Sequence, residues 1–332
     1  LTHIGNFENL DIMPLKEAKE QFKYRNKMEF TFSNNPWFEK HNPKEKKELC
    51  LGLHPKGRFD KIIDIESCEI QSNIANKIVT ISREISIKNN LIPYDIKKHV
   101  GFLRQLVIRS SSFNNETMII LVTSKNDQKK LSPIVKALSK IKEVKCVINS
   151  INRRKADVSS SLEQYLLYGD DFIIEKLGDY KFKISADSFF QTNSKQAEKL
   201  YDIIKKEADL KGDEIIYDLY CGTGTIGIYL SDKAKKVFGF EVISSAIDDA
   251  IMNASDNNVK NALFFKGDIK DILIENKEIS LIEKPDISII DPPRSGLHPK
   301  ALKNILNLNQ KKIIYISCNP STQARDLKKI VE

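Results

Sequence analysis

A single cysteine, Cys318, follows an apolar run and precedes an Asn-Pro pair in the segment YISCNPSTQARD at 315–326. The run predicts a strand that ends abruptly at the cysteine, and open α/β sheets carry their chemistry at the carboxyl ends of strands. A thiolate there can add to an electron-poor carbon and later leave. An isolated cysteine is more often structural, so the interpretation depends on the other motifs.

A glycine-rich turn, DLYCGTGT at 218–225, stands where a predicted strand gives way to a helix. Glycines let the backbone approach a ligand closely and leave N–H groups free at the helix N-terminus. Glu241 follows Gly222 by nineteen residues, at the end of the next predicted strand, where a carboxylate can accept both hydroxyls of a ribose. The turn lacks the three-glycine dinucleotide fingerprint, which favours S-adenosyl-L-methionine over NAD.

A third motif, Asp291-Pro292-Pro293-Arg294, follows the apolar run at 287–290. Two prolines remove backbone donors and stiffen the chain, so that an acid beside them is held in place. Alone, the motif would indicate an ordinary turn at the end of a strand. After a glycine-rich turn and an acid, it is better interpreted as part of a methyl-donor site.

Together these motifs resemble the RNA uracil-5 methyltransferases, which make 5-methyluridine in ribosomal and transfer RNA. The resemblance lies in SFFQTN at 188–193, DLYCGTGT at 218–225, Glu241, DPPRSG at 291–296 and SCNPSTQARDL at 317–327, in the family's order. Weaker similarity extends through YRNKMEFTF at 24–32, GLHPKGRFDKIIDIESC at 52–68 and Gly169. The N-terminal half is more similar to the 23S ribosomal RNA branch than to the transfer RNA branch.

The resemblance implies a cofactor site for S-adenosyl-L-methionine. The implied contacts are Gln191, Tyr220, Glu241 and Asp291, with Gly222, Thr225 and Asp268 near the same cofactor.

The resemblance also implies that Cys318 is the nucleophile. Addition of its thiolate to uracil carbon 6 makes carbon 5 able to attack a sulfonium methyl. Arg294 or Arg325 would raise the thiolate fraction. Phe189 and Phe190 either wall the base pocket or form aromatic core between the domains.

The chain departs from the family's pattern at its end. The family's proton-abstracting glutamate lies in a motif beyond the SCNP segment, and Glu332 does not sit in such a motif. Either the chain is clipped at its C-terminus or the base is missing. In the second case we expect a covalent RNA adduct that forms but releases slowly.

A second departure concerns iron. Many members hold an iron–sulfur cluster through three closely spaced cysteines and a later one. Cys68 resembles the later cysteine, but nothing before it resembles the trio. We expect no metal site in this chain, and a [4Fe–4S] cluster with Cys68 as a ligand only if the chain is a fragment of a longer protein.

The elements that must position these residues fall into two patterns. From about residue 200, β-branched strands alternate with helices, which is typical of a doubly wound parallel sheet. We expect an α/β fold: a Rossmann-like class I methyltransferase domain at 186–332, preceded by a smaller α+β RNA-binding domain at 1–185. Basic residues on the strands of the first half fit either a solvated face or a sheet that meets phosphates.

Composition limits the function classes. The 332 residues suggest two domains, and the net charge of +8 with a pI near 9.0 gives weak support for a nucleic-acid partner. Five scattered cysteines without CxxC spacing argue against a disulfide framework and suit a reducing cytoplasm. No apolar run reaches the roughly 20 residues of a membrane span, and we expect a monomer.

These observations predict methylation of uracil carbon 5 in RNA, with 23S ribosomal RNA favoured over transfer RNA. Two alternatives stay open. An amino-group nucleic-acid methyltransferase also uses an acidic or amide residue before two prolines, but needs no cysteine. An RNA-binding or chaperone protein with dispensable methylation would explain the absent base.

Overall fold

The structure, a computed structural model, describes residues 1–8, 10–38, 49–155, 163–275 and 282–331. In its first part the elements are α1 (Thr2–Gly5), β1 (Lys27–Ser33), β2 (Cys50–Leu53), β3 (Ile63–Asp64), α2 (Asn73–Lys88), β4 (Leu103–Ser110), β5 (Thr117–Thr123), α3 (Gln128–Leu138), β6 (Val144–Ile151), β7 (Gln164–Gly169), β8 (Phe172–Leu177) and β9 (Tyr180–Ser185).

Strands β1 to β7 form one mixed sheet in the order β3-β2-β1-β4-β5-β6-β7. Its neighbours are antiparallel except for β5 and β6, which run parallel and are joined through α3. The alternation that predicts β1 from sequence is seen in its burial, because Met28, Phe30 and Phe32 are buried and the residues between them are not.

The two faces of this sheet have different neighbours. One face packs against α2 and α3 in a core that includes Phe30, Ile78 and Ile134. The other face joins a second core, which runs from Val107 and Ile120 through the β8–β9 hairpin into the C-terminal part of the chain. The N-terminal sheet therefore packs on the elements that carry the later motifs.

The C-terminal part alternates helices and strands. Its elements are α4 (Ser194–Ala208), β10 (Ile215–Leu219), α5 (Thr225–Leu230), a short 3₁₀ turn (Ser231–Lys233), β11 (Lys236–Glu241), α6 (Ser244–Asp256), β12 (Ala262–Lys266), α7 (Ile269–Glu275), β13 (Ile287–Ile290), α8 (Pro299–Leu306), β14 (Lys312–Tyr315) and α9 (Pro320–Val331).

Strands β10 to β14 form a five-stranded parallel sheet in the order β12-β11-β10-β13-β14. Alternate strand residues point to opposite faces: Ile216 and Ile289 belong to the core shared with α4, α5 and α6, whereas Tyr217 and Phe240 belong to a core with α7 and α8. Helices cover both faces, so the sheet is doubly wound. The chain order reverses between β10 and β13, which is where such sheets bind ligands.

The predicted fold class is confirmed, except that the N-terminal sheet, with seven strands, is larger than the C-terminal sheet, with five. Strands β7 to β9 and helices α7 and α9 are not predicted from the sequence. The boundary at residue 185 stays a prediction. Within the described part of the chain, no helix is long and apolar enough to cross a membrane.

Candidate active site

The predicted site residues gather at the carboxyl edge of the five-stranded sheet. Because its strands are parallel, every residue that follows a strand end comes to the same edge. The residues so placed are Tyr220 and Gly222 after β10, Glu241 at the end of β11, Asp268 after β12, Asp291 after β13 and Cys318 after β14.

The turn after β10 is joined directly to Glu241. The N–H of Gly222 donates to Glu241 Oε2 at 3.2 Å, while Oε1 accepts from the N–H groups of Val242 and Ile243 at 2.8 and 3.0 Å. Both carboxylate oxygens are thus oriented by backbone donors. This fixes the acid at the point where β11 ends, beside the glycine-rich turn.

The turn has an unusual backbone. Tyr220 has a φ of 65° and Gly222 a φ of 54°, a region that costs a non-glycine residue about 1–2 kcal/mol. A side chain built on Gly222 would meet no atom within 4 Å, so open space lies in front of this glycine. The open space lets a ligand come close to the backbone of the turn, and strained backbone of this kind is common at ligand sites.

Beneath the turn, Asp218 is completely buried. Its Oδ2 accepts from the N–H of Gly227 at 2.8 Å, whereas its Oδ1 has no partner among the described residues. Burial, with smaller contributions from the charges of Asp291 and Glu241, raises the pKa of Asp218 to about 7. The carboxyl braces the first turn of α5 from within the core.

Thr225 opens α5, and its hydroxyl lies 3.0 Å from that of Tyr201 on α4. Because Tyr201 is buried, this contact fastens α4 to the helix that follows the glycine-rich turn. Thr225 therefore has a structural partner in addition to the cofactor role predicted for it.

Asp291 follows β13 and is held by its backbone, whose N–H donates to the carbonyl of Leu219 at 3.3 Å. Burial raises the pKa of Asp291 to about 6. The next residue, Pro292, is buried, and Pro293 and Arg294 are exposed. The structure therefore places a partly buried carboxyl at the sheet edge, one strand away from the Gly222 turn.

Of the five cysteines, Cys318 is exposed and the other four are buried. Burial raises the pKa of Cys50 and Cys146 to about 11 and about 12, which keeps these two thiols neutral at physiological pH. Cys318 lies between β14 and α9, in a loop where the Ser317 hydroxyl accepts from the N–H of Asn319 at 3.0 Å. Its thiol is presented at the sheet edge rather than used in packing.

The Cys318 loop is tied to the Asp291 loop. The carbonyl of Arg294 accepts from Asn319 Nδ2 at 3.2 Å and from the hydroxyl of Thr322 at 3.3 Å. These bonds join the first turn of α9 to the segment after the two prolines. The nucleophile and the acid predicted from sequence thus sit on two loops that support each other.

Of the two arginines considered for raising the thiolate fraction, Arg325 is engaged elsewhere. Its guanidinium donates to Asp326 Oδ1 at 2.8 Å and to the carbonyls of Ser295 and Leu297 at 3.1 and 3.3 Å. Arg294 is exposed and directs its backbone carbonyl at the Cys318 loop. Arg294 is therefore the better candidate.

Gln191 reaches the same edge by another route. Lys312, at the start of β14, donates to the carbonyl of Glu207 near the end of α4, so α4 runs antiparallel to the strands. The beginning of α4, which Gln191 precedes, therefore points to the carboxyl edge. The carbonyl of Gln191 accepts from Asn26 Nδ2 at 2.8 Å, which anchors the segment to the N-terminal sheet.

The two phenylalanines before Gln191 have different surroundings. Phe190 is 7% exposed and packs against Phe182 with ring centroids 6.2 Å apart, so it belongs to the core between the sheets. Phe189 is 64% exposed. Of the two interpretations given for this pair, core applies to Phe190, whereas Phe189 is free to meet a ligand.

Asp268 lies at the edge but is bound to its own helix. Its carboxylate accepts from the backbone of Lys270 at 3.1 Å and pairs with the Lys270 ammonium at 2.8 Å, and this hydrogen bonding lowers the pKa of Asp268. It caps α7. Its predicted place near the cofactor stays a prediction.

Cys68 is buried, and its backbone is bonded to the side chain of Asn76. No group of three histidine, cysteine or acidic side chains that could hold a metal occurs among the described residues. An iron–sulfur cluster needs a set of thiolate ligands, so the residues present do not fit one.

Sequence reasoning missed two kinds of residue at the edge. Val242 and Ile243 directly follow Glu241 and are more than half exposed, as a surface that covers a planar ring would be. Asp326 is buried in α9 and accepts hydrogen bonds from two other elements. The two aliphatic residues directly after Glu241 could have been recognised from the sequence. No pattern in the residues around Asp326 indicates its role.

The model of the tRNA (uracil-5-)-methyltransferase family matches residues 103–332. The chain belongs to this family. It is 38% identical to an uncharacterized RNA methyltransferase of Chlorobaculum tepidum, over 99% of this chain and 70% of that protein. With a similar protein of Clostridium acetobutylicum it shares 40% identity, over 98% of this chain and 68% of that one.

A solved structure also resembles this chain. Pyrococcus abyssi tRNA (uracil-54, C5)-methyltransferase in complex with S-adenosyl-L-homocysteine superposes with a TM-score of 0.76 and 30% identity, over 98% of this chain and 73% of that chain. The chain is accordingly an RNA methyltransferase that depends on S-adenosyl-L-methionine. The predicted family, enzyme class and cofactor are confirmed.

Proposed function

We propose that this enzyme methylates carbon 5 of a uridine in RNA through a covalent bond between Cys318 Sγ and uracil carbon 6. The observation that carries the proposal is the exposure of Cys318 on a loop hydrogen-bonded to the segment that begins at Asp291. An exposed thiol braced at the ligand edge of a doubly wound sheet fits a nucleophile better than a packing residue.

The chemistry follows from the electron demand of uracil. Carbon 5 is a poor nucleophile, and addition of the Cys318 thiolate to carbon 6 moves the π electrons toward carbon 5 and oxygen 4. Bound S-adenosyl-L-methionine would supply an electrophilic methyl group to that carbon, with its sulfur–methyl bond breaking to leave S-adenosyl-L-homocysteine. A base then removes the proton on carbon 5, the electrons restore the double bond, and the carbon 6–sulfur bond breaks to return the thiolate.

We assign the cofactor contacts to Gln191, Tyr220, Glu241 and Asp291, with Gly222, Thr225 and Asp268 nearby. The open space in front of Gly222 and the oriented carboxylate of Glu241 fit a nucleoside whose ribose hydroxyls bond to the acid. The half-buried carboxyl of Asp291 fits the positive charge of the cofactor. Val242 and Ile243 fit the adenine ring.

The mechanism also needs a positive charge that favours the Cys318 thiolate and a base that removes the proton from carbon 5. Arg294, exposed beside the Cys318 loop, would favour the thiolate through its positive charge. No described residue is assigned as the base, and Glu332 lies outside the described residues. The target uridine must leave its stack to expose carbon 6, and we propose that the part at 1–185 holds the opened strand.

We also propose that the substrate is 23S ribosomal RNA. The support is the similarity of the segments at 24–32 and 52–68 to that branch of the family. The solved Pyrococcus relative acts on uracil 54 of transfer RNA, so transfer RNA is the competing substrate. Incubation of both RNAs with labelled cofactor, followed by mass spectrometry of the nucleosides, distinguishes them.

The central test uses Cys318→Ala and RNA containing 5-fluorouridine. The wild-type enzyme is expected to transfer a labelled methyl group to uridine and to form a denaturant-stable adduct with fluorinated RNA, since fluorine on carbon 5 cannot leave as a proton does. Cys318→Ala is expected to lose both. Cys146→Ala, a change at a buried thiol in β6, serves as the thiol control.

Other outcomes would favour the alternatives. Methylation that survives in Cys318→Ala would indicate amino-group transfer, which needs no thiol nucleophile. RNA binding by the wild-type protein without any incorporation of label would indicate a binding protein. In neither case would the covalent mechanism stand.

A further inference from the structure

A cleft of about 740 Å³ opens on the N-terminal sheet, away from the Cys318 edge. Strand residues form its floor, and the segment after β2 forms one wall. The lining includes Glu29, Thr31, His54, Arg58, Phe59, Gln105 and Lys155. None of these residues has a part in the chemistry proposed above.

The floor of the cleft belongs to the sheet face that packs on the catalytic part. Thr31 of β1 pairs with Gln105 of β4, and four residues away on the same strands Lys27 pairs with Arg109. Residues an even number apart on a strand share a face, so Gln105 and Arg109 lie on the same face of the sheet. At Arg109 this face is covered, because the guanidinium donates to the carbonyl of Ser188 at 2.6 Å. At Gln105 the same face borders the cleft.

Gln105 is the feature that indicates a ligand. Its side chain is only 5% exposed, and its Oε1 has no hydrogen-bond partner among the described residues. A buried amide oxygen without a partner costs about 1–3 kcal/mol, so such an atom at the base of an open cleft calls for a donor from outside. An amide presents one acceptor beside one donor, which matches the edge of a nucleobase.

The walls add the other contacts that a nucleotide needs. Phe59 is 69% exposed, so its ring is accessible to a planar partner that could stack on it. Lys155 brings positive charge to the rim, where a phosphate would pass. Arg58, also at the rim, is ion-paired with Asp60 at 3.2 Å. Glu29 forms an ion pair with Lys27 at 2.8 Å, so its charge is balanced.

The cleft is also within reach of the target site. Asn26, just before β1, bonds to Gln191, and Thr31 lies five residues further on, about 17 Å along an extended strand. An RNA strand that enters the catalytic site beside Gln191 can therefore continue along β1 into the cleft.

We propose that this cleft binds one nucleotide of the same RNA strand near the target uridine, and favours a base with an exocyclic amino group. The base stacks on Phe59, and its amino group donates to Gln105 Oε1 and to Glu29. Uracil lacks such a group. The proposal rests on the proposed function for its RNA partner, but needs no methyl transfer.

The test measures binding of fluorescein-labelled 12-nucleotide oligoadenylate and oligouridylate by anisotropy, without cofactor. All proteins carry Cys318→Ser, so that no covalent bond to uracil forms. We expect oligoadenylate to bind about tenfold more tightly than oligouridylate. Phe59→Ala should weaken binding of both by roughly 5- to 150-fold, because stacking is tolerant of sequence.

Gln105→Met keeps the volume of the side chain and should remove most of the preference for oligoadenylate. Phe113→Ala, at an exposed aromatic outside the cleft, is the matched control and should bind as the parent does. If Gln105→Met fails to fold, the surface variants Glu29→Gln and Phe59→Ala test the proposed site in its place.

Equal binding of the two oligonucleotides by the parent would overturn the base preference, and unchanged binding by Phe59→Ala would overturn the site. Because the assay contains no cofactor, these results are independent of methylation. An enzyme that fails to methylate any RNA but still shows the Phe59 and Gln105 effects would disprove the proposed function and leave this site standing.

Discussion

The carboxylate of Asp326 accepts a hydrogen bond from the backbone N–H of Leu297 at 2.7 Å. The same oxygen accepts from the hydroxyl of Tyr315 at 2.8 Å, and the other oxygen pairs with Arg325. One buried side chain thus joins α9, β14 and the loop after Asp291. Gly296 has a φ of 76°, and a Cβ there would collide with this carboxylate, so glycine is required for the approach.

Replacement of Asp326 by alanine is expected to destabilise the protein by about 2–4 kcal/mol, since it leaves the N–H of Leu297 and the hydroxyl of Tyr315 without an acceptor. Tyr315→Phe removes one of the three contacts and should cost about 1 kcal/mol. Urea unfolding followed by circular dichroism measures both. A smaller loss for Asp326→Ala than for Tyr315→Phe would show that the carboxylate does not join these elements.

Gly222 and Gly212 form a matched pair for testing the cofactor turn. Both have positive φ, 54° for Gly222 and 105° for Gly212, and a Cβ on either meets no atom within 4 Å. Alanine should cost about 1–2 kcal/mol at Gly222 through backbone strain alone, and at least as much at Gly212. Only Gly222 faces the proposed cofactor site. We expect Gly222→Ala to weaken binding of S-adenosyl-L-methionine at least tenfold in calorimetry, whereas Gly212→Ala binds normally. Equal affinities would remove the turn from the site.

Cofactor affinity should depend on pH through Asp291, whose pKa burial raises from 3.8 to about 6. Below that pH the carboxyl is protonated and offers no charge to a cationic cofactor. Affinity should therefore fall as pH drops below about 6, by up to about tenfold per pH unit. Calorimetric titrations at pH 5 and pH 8 measure the difference.

Asp291→Asn provides the control and a second readout. It should bind the cofactor weakly at both pH values. The pKa of Asp291 is higher in the folded state than in the unfolded state, so the folded state holds this proton more tightly. The contribution of Asp291 to the free energy of unfolding therefore falls as the pH rises from about 4 to about 6. The variant should lose that part of the pH dependence. A variant whose affinity still changed with pH as the wild type's does would assign the titration to another group.

Local patterns were enough to predict the parallel sheet and the order of motifs along it. Strand periodicity and flanking turns depend on neighbouring residues, and parallel strands necessarily bring their carboxyl ends to one edge. That is why Tyr220, Glu241, Asp291 and Cys318 could be expected together. The hairpin of β8 and β9 was missed, although its buried residues alternate, and it joins the two sheets in one core.

The sequence by itself determined the class of fold and the family, and it singled out Cys318 as the candidate nucleophile, because each of these depends on residue types at fixed spacings. Only the tertiary structure decided that Phe190 is core while Phe189 is exposed, that Asp326 fastens the Cys318 and Asp291 loops, and that Gln105 faces an open cleft. These facts depend on which distant elements pack together. Burial and hydrogen-bond partners are set by that packing, and no local pattern of residues contains it.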